Sequence, residues 1–366
     1  MSDMGSVETK AGGRNYSIDL LRLVAMFYVV ILHSLGYGGV LGGEGASRLL
    51  SYSMETWAFC AVDCFALISG FVAFREDRQE RYRFSSYFNL YLQVVFYGLL
   101  VTAVYRILGN ENADLRQLVR SFFPVYTDMY WYFTAYTGLF FLMPLINAGV
   151  QKIDRRLAGK CAVVILFVFV FCATFYDLHA DRFVLTSGYS LVWLIILYTL
   201  GALLKKSGLP GAHRLGPMWI INVLLLAVTA YLASQENMML MTYISFSVVF
   251  SALCHIALFA RLRLPRRAEA IVKFAAPGAF AVYLLNTHPL FWTQFMAGRF
   301  QHLQGGSPAA IFLTVTGFAL LFVICAVLID AVRQRLFCAL RIPKLTSWAD
   351  QKLNAALDRV FSGIGA

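Results

Sequence analysis

The stretch "IDLLRLVAMFYVVILHS" (18–34) sets Arg22 and His33 in one run that is otherwise almost wholly apolar, with ten residues between them. Eleven helical steps come to three turns plus about 20°, so the two share a face, roughly 16 Å apart along the axis. Ionisable side chains inside an apolar span are costly and usually face a bundle interior or a wet cavity. A guanidinium holds anions; an imidazole takes and gives protons near neutral pH. Asp19, three residues before Arg22, is placed to pair with it. Each residue alone has a plainer use, Arg22 snorkelling to an interface and His33 as a hydrogen-bonded structural group. Both on one stripe point to a shared cavity or tunnel.

Other polar groups interrupt apolar runs. Asp63, in "CAVDCFALISGF" (60–71), needs a partner, and Arg22 or a protonated histidine are the candidates. His288, in "YLLNTHPLFW" (283–292), falls at about the depth of His33, and Pro289 interrupts the local hydrogen bonding, which suits a cavity-lining position. His255 reads as structural, and Tyr283 and Ser69 as packing residues. Arg75, Arg78, Arg81 and Arg83, spaced through "REDRQERYRF" (75–84), could grip a polyanion such as a coenzyme A nucleotide, against the opposing field of Glu76, Asp77 and Glu80.

The elements that must carry these residues are membrane spans. The 366 residues are 59% hydrophobic and 14% charged, with a mean hydropathy of +0.66; a soluble protein carries about 25% charge. The pattern predicts an all-α polytopic bundle of ten spans, near 17–38, 52–74, 87–107, 130–149, 161–177, 189–204, 216–233, 239–260, 271–297 and 309–332. Residues 1–16 read as a disordered tail without a cleavable signal, and 333–366 as a C-terminal tail able to lie on the membrane as an amphipathic helix. With these spans, 24 basic residues fall on one side and six on the other, which puts both termini in the cytoplasm. The net charge of +11 is thereby a topological signal, not one for nucleic acid. The six glycines of "LGYGGVLGGEGAS" (35–47) read as an outer connector, with close approach to a substrate as the sharper alternative. No P-loop, no HExxH and no CxxC occurs, and the seven cysteines read as small core- or lipid-facing residues.

The Arg-x10-His pair resembles the opening helix of the membrane acyltransferase-3 family. The likeness continues through "VDCFALISGF" (62–71), "MYWYFTAYTGLFFLMPLI" (129–146), "LGALLKK" (200–206) and "AVYLLNTHPLF" (281–291), in the family's order over nearly the whole chain. One departure is visible: where many members have histidine soon after Tyr-Leu, this chain has Asn286, with His288 two residues later. No appended extracytoplasmic esterase-like domain is evident.

The resemblance implies a bacterial inner-membrane O-acyltransferase. It would move an acyl group, usually acetyl, from cytoplasmic acyl-CoA to a cell-surface or lipid-linked carbohydrate. It further implies His33 as general base, Arg22 as donor-binding or acyl-orienting residue, and Asp63 as an orienting or charge-balancing group. Arg81 and Arg83 are then donor-loop candidates. Asp19, which would fix Arg22, is grouped with Asn286 and His288 as substrate-binding. Acyl-CoA is a co-substrate; no metal or bound cofactor is expected, and a homo-oligomer is left open. The competing reading is a proton-coupled transporter or flippase for a lipid-linked sugar or small anion, with Arg22 on the anion and His33 relaying protons; a non-catalytic scaffold is the third.

Overall fold

The computed structural model describes residues 14–175 and 181–361; most of the predicted N-terminal tail lies outside them. Among the described residues the chain is helical without strands. Its helices are α1 (Tyr16–Leu35), α2 (Gly45–Ala58), α3 (Ala61–Ala73), α4 (Phe84–Ile107), α5 (Leu115–Phe122), α6 (Trp131–Lys152) and α7 (Arg155–Leu166). There follow α8 (Leu191–Ser207), α9 (Leu215–Ser234), α10 (Phe246–Phe259), α11 (Arg266–Ala275), α12 (Ala279–Asn286), the single turn α13 (Pro289–Phe291), α14 (Pro308–Ala339) and α15 (Ile342–Phe361). Starts are set by short polar residues whose side chains take the first free amides: Asn15 for α1, Asp114 for α5, Asp154 for α7, Ser190 for α8 and Ser307 for α14.

Among the described residues, seven segments are long and apolar enough to cross a bilayer: Tyr16–Leu35, Gly45–Ala73, Phe84–Ile107, Trp131–Lys152, Ala212–Ser234, Arg266–Asn286 and Pro308–Ala339. The predicted spans at 161–177, 189–204 and 239–260 coincide with shorter helices, α7 with its π-helical extension Phe167–Cys172, α8 and α10. The span predicted at 52–74 is two helices, broken at Phe59–Cys60, and begins earlier, at Gly45.

Hydrogen bonds between loops gather them into two sets. At one end Ser17 donates to the Leu262 carbonyl (2.6 Å), Arg261 reaches the Pro210 carbonyl, Lys206 pairs with Glu76 (2.7 Å), and Gln151 donates to the Arg75 carbonyl (2.9 Å). At the other, the Phe300 amide donates to the Gly38 carbonyl (2.8 Å), Gln304 to the Gly39 carbonyl (2.8 Å), and Arg48 to the Ser234 carbonyl (2.6 Å). The glycine-rich loop is therefore pinned to the 298–304 segment rather than hanging free, and Gly39 adopts a positive φ of 82° to make the turn.

The core is built where α3 lies along α8. Gly70 abuts the Tyr198 carbonyl and Gly201 the Leu67 carbonyl, so closely that a Cβ at either would collide with backbone. These two positions allow the helices to touch. The C-terminal segment continues α14 to Ala339, past the predicted end at 332, and α15 packs back on α4.

Candidate active site

Three helix breaks open a cavity of about 640 Å³ towards the end that carries the 37–48 and 298–304 loops. At the first, Phe59–Cys60, α2 gives way to α3. At the second, α6 starts at Trp131, leaving Tyr130 as its extended flanking residue. At the third, Pro289 lacks an amide hydrogen and α12 stops at Asn286. His33, Glu55, Tyr130, Tyr132, Tyr283 and Trp292 are among the lining side chains. Tyr283 is thus a wall residue and not mere packing, while the Ser69 hydroxyl bonds back to the Phe65 carbonyl (2.9 Å).

His33 is held on two sides. Its Nδ1 meets the side-chain oxygen of Asn286, and Trp292 stands edge-on to the ring at 4.4 Å between centroids. An amide oxygen only accepts, so Nδ1 carries the hydrogen and Nε2 keeps the lone pair. Asn286 is fully buried and its Nδ2 has no partner. The pair joins residues 253 positions apart that the sequence set in separate motifs.

Arg22 donates to Asp19 Oδ1 (2.6 Å), while Asp19 Oδ2 takes Arg14 (2.5 Å). Asp19 is therefore the anchor of two arginines, on α1 and just before it. Arg22 does not line the cavity with His33; it lies within electrostatic reach of the phenols of Tyr132 and Tyr136 on α6.

Two expected placements are corrected. The partner of Asp63 is neither Arg22 nor a histidine: Oδ1 accepts from Trp193 Nε1 (3.1 Å) and Oδ2 is buried without a partner. The reason is the close packing of α3 on α8, which turns the first turn of α3 towards the start of α8. His288 does not line the cavity, although its neighbours Thr287 and Pro289 do. Its ring is consumed by the helix break: Nδ1 accepts from the Leu290 amide (3.2 Å), and Nε2 donates to the Gly98 carbonyl on α4 (3.3 Å).

A smaller cavity of about 150 Å³ opens at the opposite end, lined by Arg78, Arg81, Arg83, Tyr136, Asn147 and Tyr198 among others. Two of the three acids beside these arginines are occupied, and the third, Asp77, is exposed. Glu76 pairs with Lys206 (2.7 Å), and Glu80 with Arg78 (3.2 Å) and Asn147 (3.2 Å). Arg81 and Arg83 are exposed and, among the described residues, have no ion-pair partner. Their loop is held from α15: Asn354 donates to the Tyr82 carbonyl (3.3 Å), and Asp350 accepts the Ser85 amide (3.2 Å).

Tyr132 lines one cavity and Tyr136 the other. They are one turn apart on α6, a rise of about 6 Å. On α6 the two linings therefore come within a single helical turn of each other.

A family model described as an acyltransferase domain matches residues 15–330. The chain belongs to the membrane acyltransferase-3 family. The match spans both cavities and their lining residues, and stops before the end of α14. Neither the curated proteins nor the solved structures gave a significant match. Membership makes this chain a membrane acyltransferase.

Several groups in this acyltransferase escaped the sequence reading. Glu55 falls inside a predicted span and lines the larger cavity, which holds His33; a carboxylate there was signal enough. So was Asp330, fully buried, which accepts from Tyr97 (2.9 Å), Gln93 (3.2 Å), Gln334 (2.8 Å) and both ends of Arg333 (2.7 and 3.0 Å). Cys60, Cys64 and His255 bring three ligand-type atoms within 4.8 Å of one another, which i, i+4 spacing could have flagged. There the His255 Nδ1 hydrogen is already engaged by the Ser251 carbonyl (2.8 Å), so the ring would have to turn before it could bind a cation.

Proposed function

We propose that this acyltransferase carries an acyl group, acetyl in the first instance, from acyl-CoA on the cytoplasmic side to a hydroxyl of a cell-surface or lipid-linked carbohydrate outside a bacterial inner membrane. The observation that carries the reading is the pair of cavities opening at opposite ends and separated by one turn of α6, with His33 in one and unpaired arginines at the other. The strong excess of basic residues at the arginine end supports its assignment to the cytoplasm, with ten crossings and both termini inside.

The nucleotide phosphates of the donor sit against Arg81 and Arg83, whose charge and planar forks suit them. The acyl thioester passes Tyr136 and Arg22 into the outer cavity, where rings such as Trp292 and Tyr243 offer flat faces to a sugar. His33 Nε2 takes the proton of the acceptor hydroxyl as its oxygen attacks the acyl carbonyl. The C–S bond breaks, and the imidazolium returns the proton to the leaving thiolate. Asn286 keeps the ring in the productive tautomer, a positioning role. Asp19 holds Arg22, and Asp63 and His288 act at one remove, through the packing of α3 on α8 and through the α12–α13 break.

The test is deletion of the gene in its native host, complemented with wild type, Arg22→Ala or His33→Ala at matched membrane levels. Base-labile acyl groups on surface glycans are then counted by mass spectrometry. Loss on deletion, restored by wild type but not by His33→Ala, is the expected result. Identical acylation in all strains would remove surface-glycan transfer as the role.

A further inference from the structure

We propose that the phenol hydroxyls of Tyr130 and Tyr132 are the donors that stabilise the oxyanion formed during acyl transfer in the outer cavity. The inference rests on the acyl-transfer reading above. Both side chains are buried, 2% and 6% exposed, and both line the cavity that holds His33. Both hydroxyl oxygens are buried without a hydrogen-bond partner. Buried polar groups in folded proteins are nearly always paired, so two orphans on one wall call for an explanation.

Three other buried phenols behave differently. Tyr97 donates to Asp330 (2.9 Å) and Tyr198 to Asn147 (3.1 Å), and the Tyr283 oxygen accepts from the Tyr132 amide (3.4 Å). The orphans are thus confined to the cavity wall at the start of α6, and they are two residues apart. Ring neighbours fix them: Tyr130 lies 6.0 Å from Tyr283 and 6.4 Å from His288, and Tyr132 lies 6.0 Å from Phe65 and 6.1 Å from Tyr283, between centroids. Donors held without a partner beside a largely apolar pocket have no internal hydrogen bond to give up when charge develops next to them.

The chemistry balances. Attack by the acceptor oxygen forms the new C–O bond, and the carbonyl π pair moves onto oxygen while the acceptor proton goes to His33. The resulting oxyanion accepts the two phenol hydrogens. Collapse re-forms the carbonyl, breaks the C–S bond and expels the thiolate, which takes the proton from the imidazolium. The phenols are unchanged at the end.

The experiment uses full-length protein in lipid nanodiscs, as wild type, Tyr130→Phe, Tyr132→Phe, the double variant and His33→Ala. Acetyl-CoA is the donor, and deacylated surface glycan from the host is the acceptor. Each phenylalanine variant is expected to lose roughly 10²–10³-fold in kcat, the range for removing one oxyanion donor, with donor KM unchanged. The melting temperature should hold or rise, because no protein partner is lost. A kcat within threefold of wild type in the double variant overturns the proposal; if His33→Ala is dead in the same assay, acyl transfer survives it. A rise in acceptor KM at constant kcat also overturns it, by making the hydroxyls ground-state sugar ligands. A fall in melting temperature overturns it too, by making them structural. Absence of wild-type turnover removes both this proposal and the reading beneath it.

Discussion

Replacing Asn286 by alanine removes the acceptor that faces His33 Nδ1 and leaves the residues lining the cavity in place. In the resting enzyme the contact is a neutral hydrogen bond, worth about 0.5–1.5 kcal/mol net, and it becomes charge-assisted, at roughly 1.5–3 kcal/mol, once Nε2 takes the proton. The difference of about 1–1.5 kcal/mol is felt only as the reaction proceeds and corresponds to roughly 5–13-fold in kcat. Freedom of the ring to adopt the other tautomer adds a factor of a few, for an overall loss of roughly 10–100-fold. Stability should change little, since the unpaired Nδ2 disappears together with the lost bond. Asn286→Asp keeps an acceptor for Nδ1 but adds a negative charge that favours the imidazolium. The base is then already protonated at a pH where the wild type still holds it free, so activity on the acid side is lost at a higher pH. The assay is initial-rate acetyl transfer by nanodisc-embedded protein from pH 5 to 9, with thermal melts alongside. A wild-type kcat and pH profile in Asn286→Ala would refute the claim that this contact orients the base.

Three further expectations follow from the contacts described. Arg81→Ala and Arg83→Ala should each raise the donor KM, roughly 3- to 30-fold after discounting for exposure, with kcat at saturating donor retained; a change in the acceptor KM instead would move these arginines to another role. Asp330→Ala strips a buried carboxylate from Arg333 and three neutral donors, so thermal unfolding should register a loss of about 3–5 kcal/mol, and a melt like wild type would contradict the network. Trp193→Phe removes the hydrogen bond of Asp63 and should destabilise by about 1–3 kcal/mol, more than Asp63→Asn, which keeps an acceptor for the indole; the reverse order in matched melts would count against it.

Much of this was legible in the sequence, for reasons that differ by residue. The helices follow from apolar run length, because a bilayer leaves a chain few other ways to satisfy its backbone. His33 could be found because an imidazole has no cheap place in a span, and Arg81 and Arg83 because charge clusters at span ends. What the sequence could not supply were pairings across it. Helical periodicity put Arg22 and His33 on one stripe, but it does not say that the cavity reaches His33 and leaves Arg22 paired with Asp19 outside its lining. Nothing local reveals that Trp193 meets Asp63, because that contact depends on two glycines in different helices. His288 read as cavity-lining and substrate-binding; the break at Pro289 engages both ring nitrogens. Tyr130 and Tyr132 were invisible among 19 tyrosines, since an unpaired hydroxyl is recognised only when its neighbours are known.

The thin wall between Tyr132 and Tyr136 also bears on the membrane as an insulator. Across most of the protein the electrical potential falls through some 30 Å of hydrocarbon-like interior, but along α6 the linings of the two cavities come within about one helical turn of each other. The local field on Arg22 and the two phenols is correspondingly steep, and a donor threading past them would cross most of the membrane voltage in a single step. The same turn must keep protons and ions from leaking when no donor is bound. Tyr136→Ala should therefore make proteoliposomes measurably permeable to protons in a pH-jump dye assay, and added coenzyme A should plug the leak. Liposomes as tight as wild type would mean that the barrier lies elsewhere.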